Sequence, residues 1–178
     1  MNIEALFAQA YKFQYEGQLP QAISLYEQIL TQEPNHFNSL HFLGLIYAQL
    51  GDMDNAILYL LHALSIKPND VSLLNNLANA YKKTHQLDKA IEYYQRAIQL
   101  DPRYAQAHNN LATVYATQNN YSKALFHYTK AVHAEPDFSA AHFNLGLLLL
   151  QNNQLEAAKT QFNNVISLNP LHTEALFI

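Results

Sequence analysis

Three asparagines, Asn76, Asn110 and Asn144, stand thirty-four residues apart, each directly before a leucine and a small residue. A primary amide presents a donor and an acceptor together, the same pair that a peptide backbone offers. Repeated at a fixed interval, such amides would grip an extended chain with little regard for its side chains. The chemistry expected from them is recognition. Covalent chemistry finds few candidates. The chain has no cysteine, and its four glycines form no GxGxxG or P-loop. No serine sits in a nucleophile-elbow context. Nine histidines raise the question of a metal. His108 and His142 are a whole interval apart, His36 and His41 are five apart, and no HExxH places two on one helical face. Packing roles are expected for them, with no metal, no cofactor and no enzymatic activity.

The frame that positions the amides is a repeat. Prolines fall at Pro34, Pro68, Pro102, Pro136 and Pro170, a strict interval of 34, with only Pro20 outside the series. A fixed period of this size marks a repeat array. It cuts the chain into blocks 3–36, 37–70, 71–104, 105–138 and 139–172, and residues 173–178 begin a sixth. One array over residues 1–178 is the expected domain organisation.

Within a block, position 4 carries Leu6, Leu40, Leu74, His108 and His142, and position 7 carries Gln9, Leu43, Leu77, Leu111 and Leu145. Position 8 is always small (Ala10, Gly44, Ala78, Ala112, Gly146), and position 11 is Phe13, Tyr47, Tyr81, Tyr115 and Leu149. The spacing 4, 7, 8, 11 is one face of a helix. Position 15 then reads Gly17, Gly51, His85, Asn119 and Asn153. Glycine and asparagine tolerate the left-handed conformation past a helix end, so the first helix should stop there, with some strain at His85. Position 18 (Pro20, Asp54, Asp88, Ser122, Glu156) suits a cap or first turn. A second face follows: alanine at position 20 in every block, then Tyr26, Leu60, Tyr94, Tyr128 and Phe162 at position 24. The proline at position 32 closes each block. No single pair of helices has enough core to stand alone, so the pairs must stack.

These positions resemble the tetratricopeptide repeat family. Its pattern has a large apolar residue at 4, Leu at 7, a small residue at 8, Tyr at 11, Ala at 20, an aromatic at 24, Ala at 27 and Pro at 32. The resemblance spans residues 3 to 172 and is strongest in Val71–Tyr104; block one is weakest, with Gln9 and Ile29 off the pattern. It implies an all-α, right-handed α-solenoid of five helix-turn-helix repeats plus the start of a sixth. It also implies a concave groove, lined by the first helices, that holds protein or peptide ligands.

In such an array positions 2, 5, 6, 9, 12 and 13 face the groove. The expected binding residues are therefore Asn75, Asn76, Asn79, Lys82, Asn109, Asn110, Thr113 and Asn144, with Tyr11, His41 and Phe143 toward the ends. The three asparagines at position 6 resemble the ladder in the repeats of O-linked N-acetylglucosamine transferases, although no catalytic half of that family is present. The family's carboxylate clamp is not expected. Its pattern falls on Asn75, Asn79, Asn110, Ala140 and Asn144, where every required cation is missing.

Bulk properties set limits on partners. Only 13% of residues are charged, roughly half the usual share, and the net charge is −4. Lysine and arginine adjoin only at Lys82-Lys83, so no footprint for a phosphate backbone is visible and nucleic acid is not expected. No run approaches the roughly 18 apolar residues that span a bilayer, so no membrane insertion is expected. The start MNIEALFAQAYKF lacks the basic and apolar regions of a leader, and a cytoplasmic location is the expectation. The leading reading is a non-catalytic interaction scaffold for an extended peptide. Its rivals are the targeting arm of a larger glycosyltransferase or methyltransferase, and a subunit that self-assembles. Self-association is expected at the C-terminal edge, because residues 173–178 do not complete a capping helix over Phe162, Val165 and Ile166.

Overall fold

A computed structural model of the chain describes residues 2–170. The expected sixth repeat at 173–178 lies outside them. Among the described residues there are ten helices and no strand. They are α1 (Ile3–Tyr15), α2 (Leu19–Gln32), α3 (Phe37–Leu50), α4 (Met53–Ile66), α5 (Val71–Lys83), α6 (Leu87–Leu100), α7 (Ala105–Thr117), α8 (Tyr121–Ala134), α9 (Ser139–Gln151) and α10 (Leu155–Leu168). The chain divides into two compact units, Met1–Ala90 and Ile91–Ile178, with the boundary inside α6.

The helix boundaries follow the local chemistry. All five residues at position 15 have positive φ: Gly17 (76°), Gly51 (84°), His85 (59°), Asn119 (56°) and Asn153 (58°). Each first helix thus ends on a left-handed residue, and His85 adopts that conformation without the freedom glycine has. The caps of the second helices sit two residues earlier than position 18. Asp52 accepts from the Asn55 amide and Asn120 from that of Lys123, leaving Asp54, Asp88 and Glu156 in the first turn. Carboxylates there face the positive end of the helix dipole. Every proline at position 32 lies past a helix end.

In unit 1 the core gathers Leu6, Ala10, Ala22, Tyr26, Ile29, Leu43 and Ile46 from α1, α2 and α3. The small residue at position 8 is required by the large one at position 24. A Cβ on Gly44 would come within 2.6 Å of Leu60 Cγ. Unit 2 repeats the device, since a Cβ on Gly146 would meet Phe162 Cε1 at 2.7 Å. Position 24 therefore lies directly over position 8. The second helix buries it against the first helix of its own repeat.

That packing changes which side chains the C-terminal edge exposes. Phe162 and Val165 are buried, at 5% and 0% exposure, and Phe162 meets the Phe143 ring edge-on at 5.9 Å. Positions 24 and 27 thus point back into their own repeat, while Ile166, the third residue expected at this edge, is half-buried. On α10 the large exposed apolar side chains are Leu155 and Leu168.

Candidate functional site

In unit 1 the first-helix face is built by α1, α3 and α5. Its N-terminal part is aromatic. Phe42 stacks on Tyr26 at 5.9 Å, meets Phe7 at 5.8 Å and Tyr11 at 5.5 Å, and lies against His41 at 6.0 Å. Tyr11 remains half exposed, and its ring is the outer edge of this wall. Burial, helped by Tyr11, raises the Tyr26 pKa well above the usual phenol range, and its hydroxyl donates to Gln14 Oε1 at 2.9 Å.

The amides begin where the aromatics stop. Asn76 Nδ2 lies 3.2 Å from His41 Nε2. An amide nitrogen has no lone pair to offer, so it donates and His41 accepts through a bare Nε2. Burial pushes the His41 pKa down, with Asp70 opposing and Lys67 adding to the lowering, which keeps that nitrogen unprotonated. Past Asn76 opens a pocket of about 260 Å³ lined by Leu45, Ala48, Asn76, Asn79, Lys82 and Lys83.

In unit 2 the first-helix face comes from α7 and α9. Asn144 Nδ2 donates to Asn109 Oδ1 at 3.0 Å. Thr113 Oγ1 lies 3.0 Å from both the Asn109 carbonyl and the Tyr128 hydroxyl, fixing the floor beside them. Phe143 is half-buried against Phe162.

The expected binding residues therefore differ in accessibility. Asn76, Asn79, Asn110, Thr113, Asn144, Lys82, His41 and Phe143 are half-buried, as a lining position requires. Asn75 and Asn109, at 6% and 7%, are buried. In unit 2 Asn109 lies at the seam with the following repeat and serves as the acceptor for its position 6, Asn144. His41 holds the same place in unit 1. One sequence signal was available for these pairs: position 5 of one block and position 6 of the next are thirty-five residues apart in both.

His108 and His142 share a second device that spacing did not reveal. Nε2 of His108 lies 3.1 Å from the Pro102 carbonyl, and Nε2 of His142 lies 3.0 Å from that of Pro136. A histidine at position 4 thus ties its helix to the proline that closes the preceding block. The other ring nitrogen reaches position 23: His108 Nδ1 is 2.9 Å from His127 Nδ1, and His142 Nδ1 is 2.7 Å from Gln161 Oε1. Among the described residues no group of three His, Asp or Glu converges as a metal ion would need.

The ten helices and their recurring packing define a helical-repeat protein. Profiles described as tetratricopeptide repeat match residues 4–36, 37–70 and 71–104. The chain belongs to the tetratricopeptide repeat family, whose members are in general non-catalytic protein-interaction scaffolds. A profile described as Est1 DNA/RNA binding domain also matches residues 90–172. No curated protein matches the chain.

Solved structures agree on the fold, and the α-solenoid class is that of its neighbours. The crystal structure of MamA is 25% identical with a TM-score of 0.79, covering 93% of this chain and 96% of that one. TTC0263, a thermophilic TPR protein in Thermus thermophilus, is 20% identical at TM-score 0.79, covering 99% and 96%. YrrB, described as a TPR protein with an unusual peptide-binding site, is 20% identical at 0.74, covering 99% and 91%. Among the described residues no helix is long and apolar enough to cross a membrane.

Proposed function

We propose that the chain is a non-catalytic scaffold whose first-helix faces hold an extended peptide of a protein partner. The observation that carries this is the half-commitment of the position-6 amides. In unit 1 the nitrogen of Asn76 is bound to His41, and in unit 2 that of Asn144 is bound to Asn109. Each amide is thereby fixed in one orientation, and its oxygen is the atom left to accept from a ligand. Accepting from main-chain N–H groups requires no particular side chain, which suits recognition of extended backbone. The aromatic wall of Phe7, Tyr11 and Phe42 supplies apolar contact beside Asn76 in unit 1. The structural likeness to YrrB, described by its peptide-binding site, favours the same reading.

The Est1 profile favours a second reading, nucleic acid at residues 90–172. Charge weighs against it. That stretch carries five cations (Arg96, Arg103, Lys123, Lys130, Lys159) and five anions (Glu92, Asp101, Glu135, Asp137, Glu156), so it is neutral overall. Backbone binding to nucleic acid is driven mainly by uncompensated lysine and arginine.

The test is selection of peptides from a random display library on the full chain, with single-stranded RNA and DNA oligonucleotides assayed in parallel. Selected peptides should bind in capped form and lose affinity when their main-chain nitrogens are methylated. Binding untouched by N-methylation would refute backbone recognition. Tight, salt-sensitive oligonucleotide binding without peptide binding would establish the second reading.

A further inference from the structure

We infer that the pocket at the C-terminal end of α5 takes an acidic side chain of the bound peptide, a glutamate or aspartate inside its sequence, with the Lys82 ammonium as counter-charge. This rests on the peptide-binding reading above and specifies one residue of the ligand.

The pocket of about 260 Å³ has two lysines in its lining and no carboxylate. That is room for roughly nine waters, at about 30 Å³ each, which suits one or two side chains rather than a helix. Lys82 is half-buried there. Among the described residues the sole ion pair joins Lys12 to Glu16, so no protein carboxylate lies within ion-pair reach of Lys82. Burial, with the neighbouring Lys83 charge, presses the Lys82 pKa downward. A partly desolvated ammonium facing a second cation is an unfavourable arrangement, which an incoming anion would relieve.

Lysines in a last helical turn commonly complement the helix dipole. Lys83 fits that role: it is exposed, and its ammonium lies 3.5 Å from the Ala48 carbonyl. Lys82 differs in being half-buried where it lines the pocket beside Asn76 and Asn79. It is also peculiar to block three. The same position is Gln14, Ala48, Ala116 and Leu150 elsewhere, so the demand for an acid falls at one point of the ligand. A carboxylate there would form a charge-assisted hydrogen bond with Lys82. The Asn76 oxygen beside it would accept from the same peptide's backbone.

The experiment uses the full chain and a display library in which every peptide is fused at both ends, so no free terminus is offered. Selected sequences should be enriched in Glu or Asp at one position. In fluorescence anisotropy, replacing that residue with its amide should lower affinity roughly tenfold. The preference should vanish in Lys82→Gln and persist in Lys82→Arg, with circular dichroism confirming the fold of each. The peptide-side substitution reports even where a variant misfolds. Peptides selected without acidic enrichment would overturn the inference and leave peptide binding standing. An acidic preference that survives Lys82→Gln would also overturn it. No selected peptide at all would overturn both readings. Displacement of the peptide by an oligonucleotide only when Lys82 is present would assign the pocket to phosphate instead.

Discussion

The Asn144 side-chain nitrogen donates to Asn109 Oδ1 at 3.0 Å across thirty-five residues of chain. The bond ties α9 to α7 and fixes the orientation of the half-buried Asn144 amide. Asn76 and His41 repeat the arrangement in unit 1, with an imidazole in place of the acceptor amide. Position 6 is thus partly a structural position. A solubilising asparagine would have no reason to find an acceptor at the same place in each unit.

Asn144→Ala should consequently reduce stability as well as binding. Removing the donor leaves Asn109 Oδ1 buried without it, and a net loss of about 0.5–1.5 kcal/mol is expected. Urea denaturation of the single variants and of Asn109→Ala/Asn144→Ala checks this. The double variant should lose less than the sum of the singles, because both remove the same bond. Strict additivity would show that the pair contributes nothing.

Gly146→Ala should destabilise by about 1–3 kcal/mol through overpacking. The added carbon would stand 2.7 Å from the Phe162 ring, which is held by Phe143 on another side and cannot simply swing away. Thermal denaturation reads the loss, and a Gly146→Ala midpoint equal to that of the parent chain would show that the Phe162 ring moves aside at no cost.

The repeat frame, the ten helices and the left-handed turns were legible because each depends on local chemistry repeated five times. Proline, small residues and alanine recurring in one register suit stacked helix pairs and little else. What position 24 packs against was less legible. Helical periodicity says that Phe162 faces inward but not which neighbour it meets, and so its burial under Gly146 had to be seen in three dimensions. The binding face was half legible for a related reason. Asn109 and Asn110 are adjacent in sequence yet differ in burial, because the seam with the following repeat of unit 2 passes between them. Lys82 was legible as a groove position, but its pocket was not, because that depends on Leu45 and Ala48 from a different helix.

His85→Gly should stabilise the turn after α5. A non-glycine residue in the left-handed region costs roughly 1–2 kcal/mol, and glycine returns part of that gain through its freer unfolded chain, about 0.5–1 kcal/mol. A net rise of roughly 0.5–1 kcal/mol in unfolding free energy is expected, since the Gly17 and Gly51 turns already use this solution. A fall in stability would mean that the His85 side chain contributes more than its backbone costs.

Acid should destabilise unit 2 through one histidine pair. Nε2–H of His108 donates to the Pro102 carbonyl, which leaves its Nδ1 bare to accept from Nδ1–H of His127 at 2.9 Å. Burial, then the neighbouring His108 and Lys123, lowers the His127 pKa to about 4. Burial also lowers that of His108, against the raising effect of the Pro102 hydrogen bond, with Lys130 adding to the lowering and Asp101 opposing it. Their folded values lie below the ordinary 6.5, so the unfolded chain binds more protons between those limits. Stability from the pair is complete above about pH 6.5 and is lost as pH falls toward 4. His41 in unit 1 adds to the same trend, because protonation would remove the acceptor that Asn76 uses. Asp52 acts in a separate window: its bonds to Asn55 lower its pKa below the ordinary 3.8, so its contribution fails only in stronger acid. Urea midpoints should therefore fall from pH 7.5 to pH 4.5, and His127→Gln should flatten that slope by supplying an uncharged partner to His108. A slope unchanged by His127→Gln would place the acid sensitivity elsewhere in the chain.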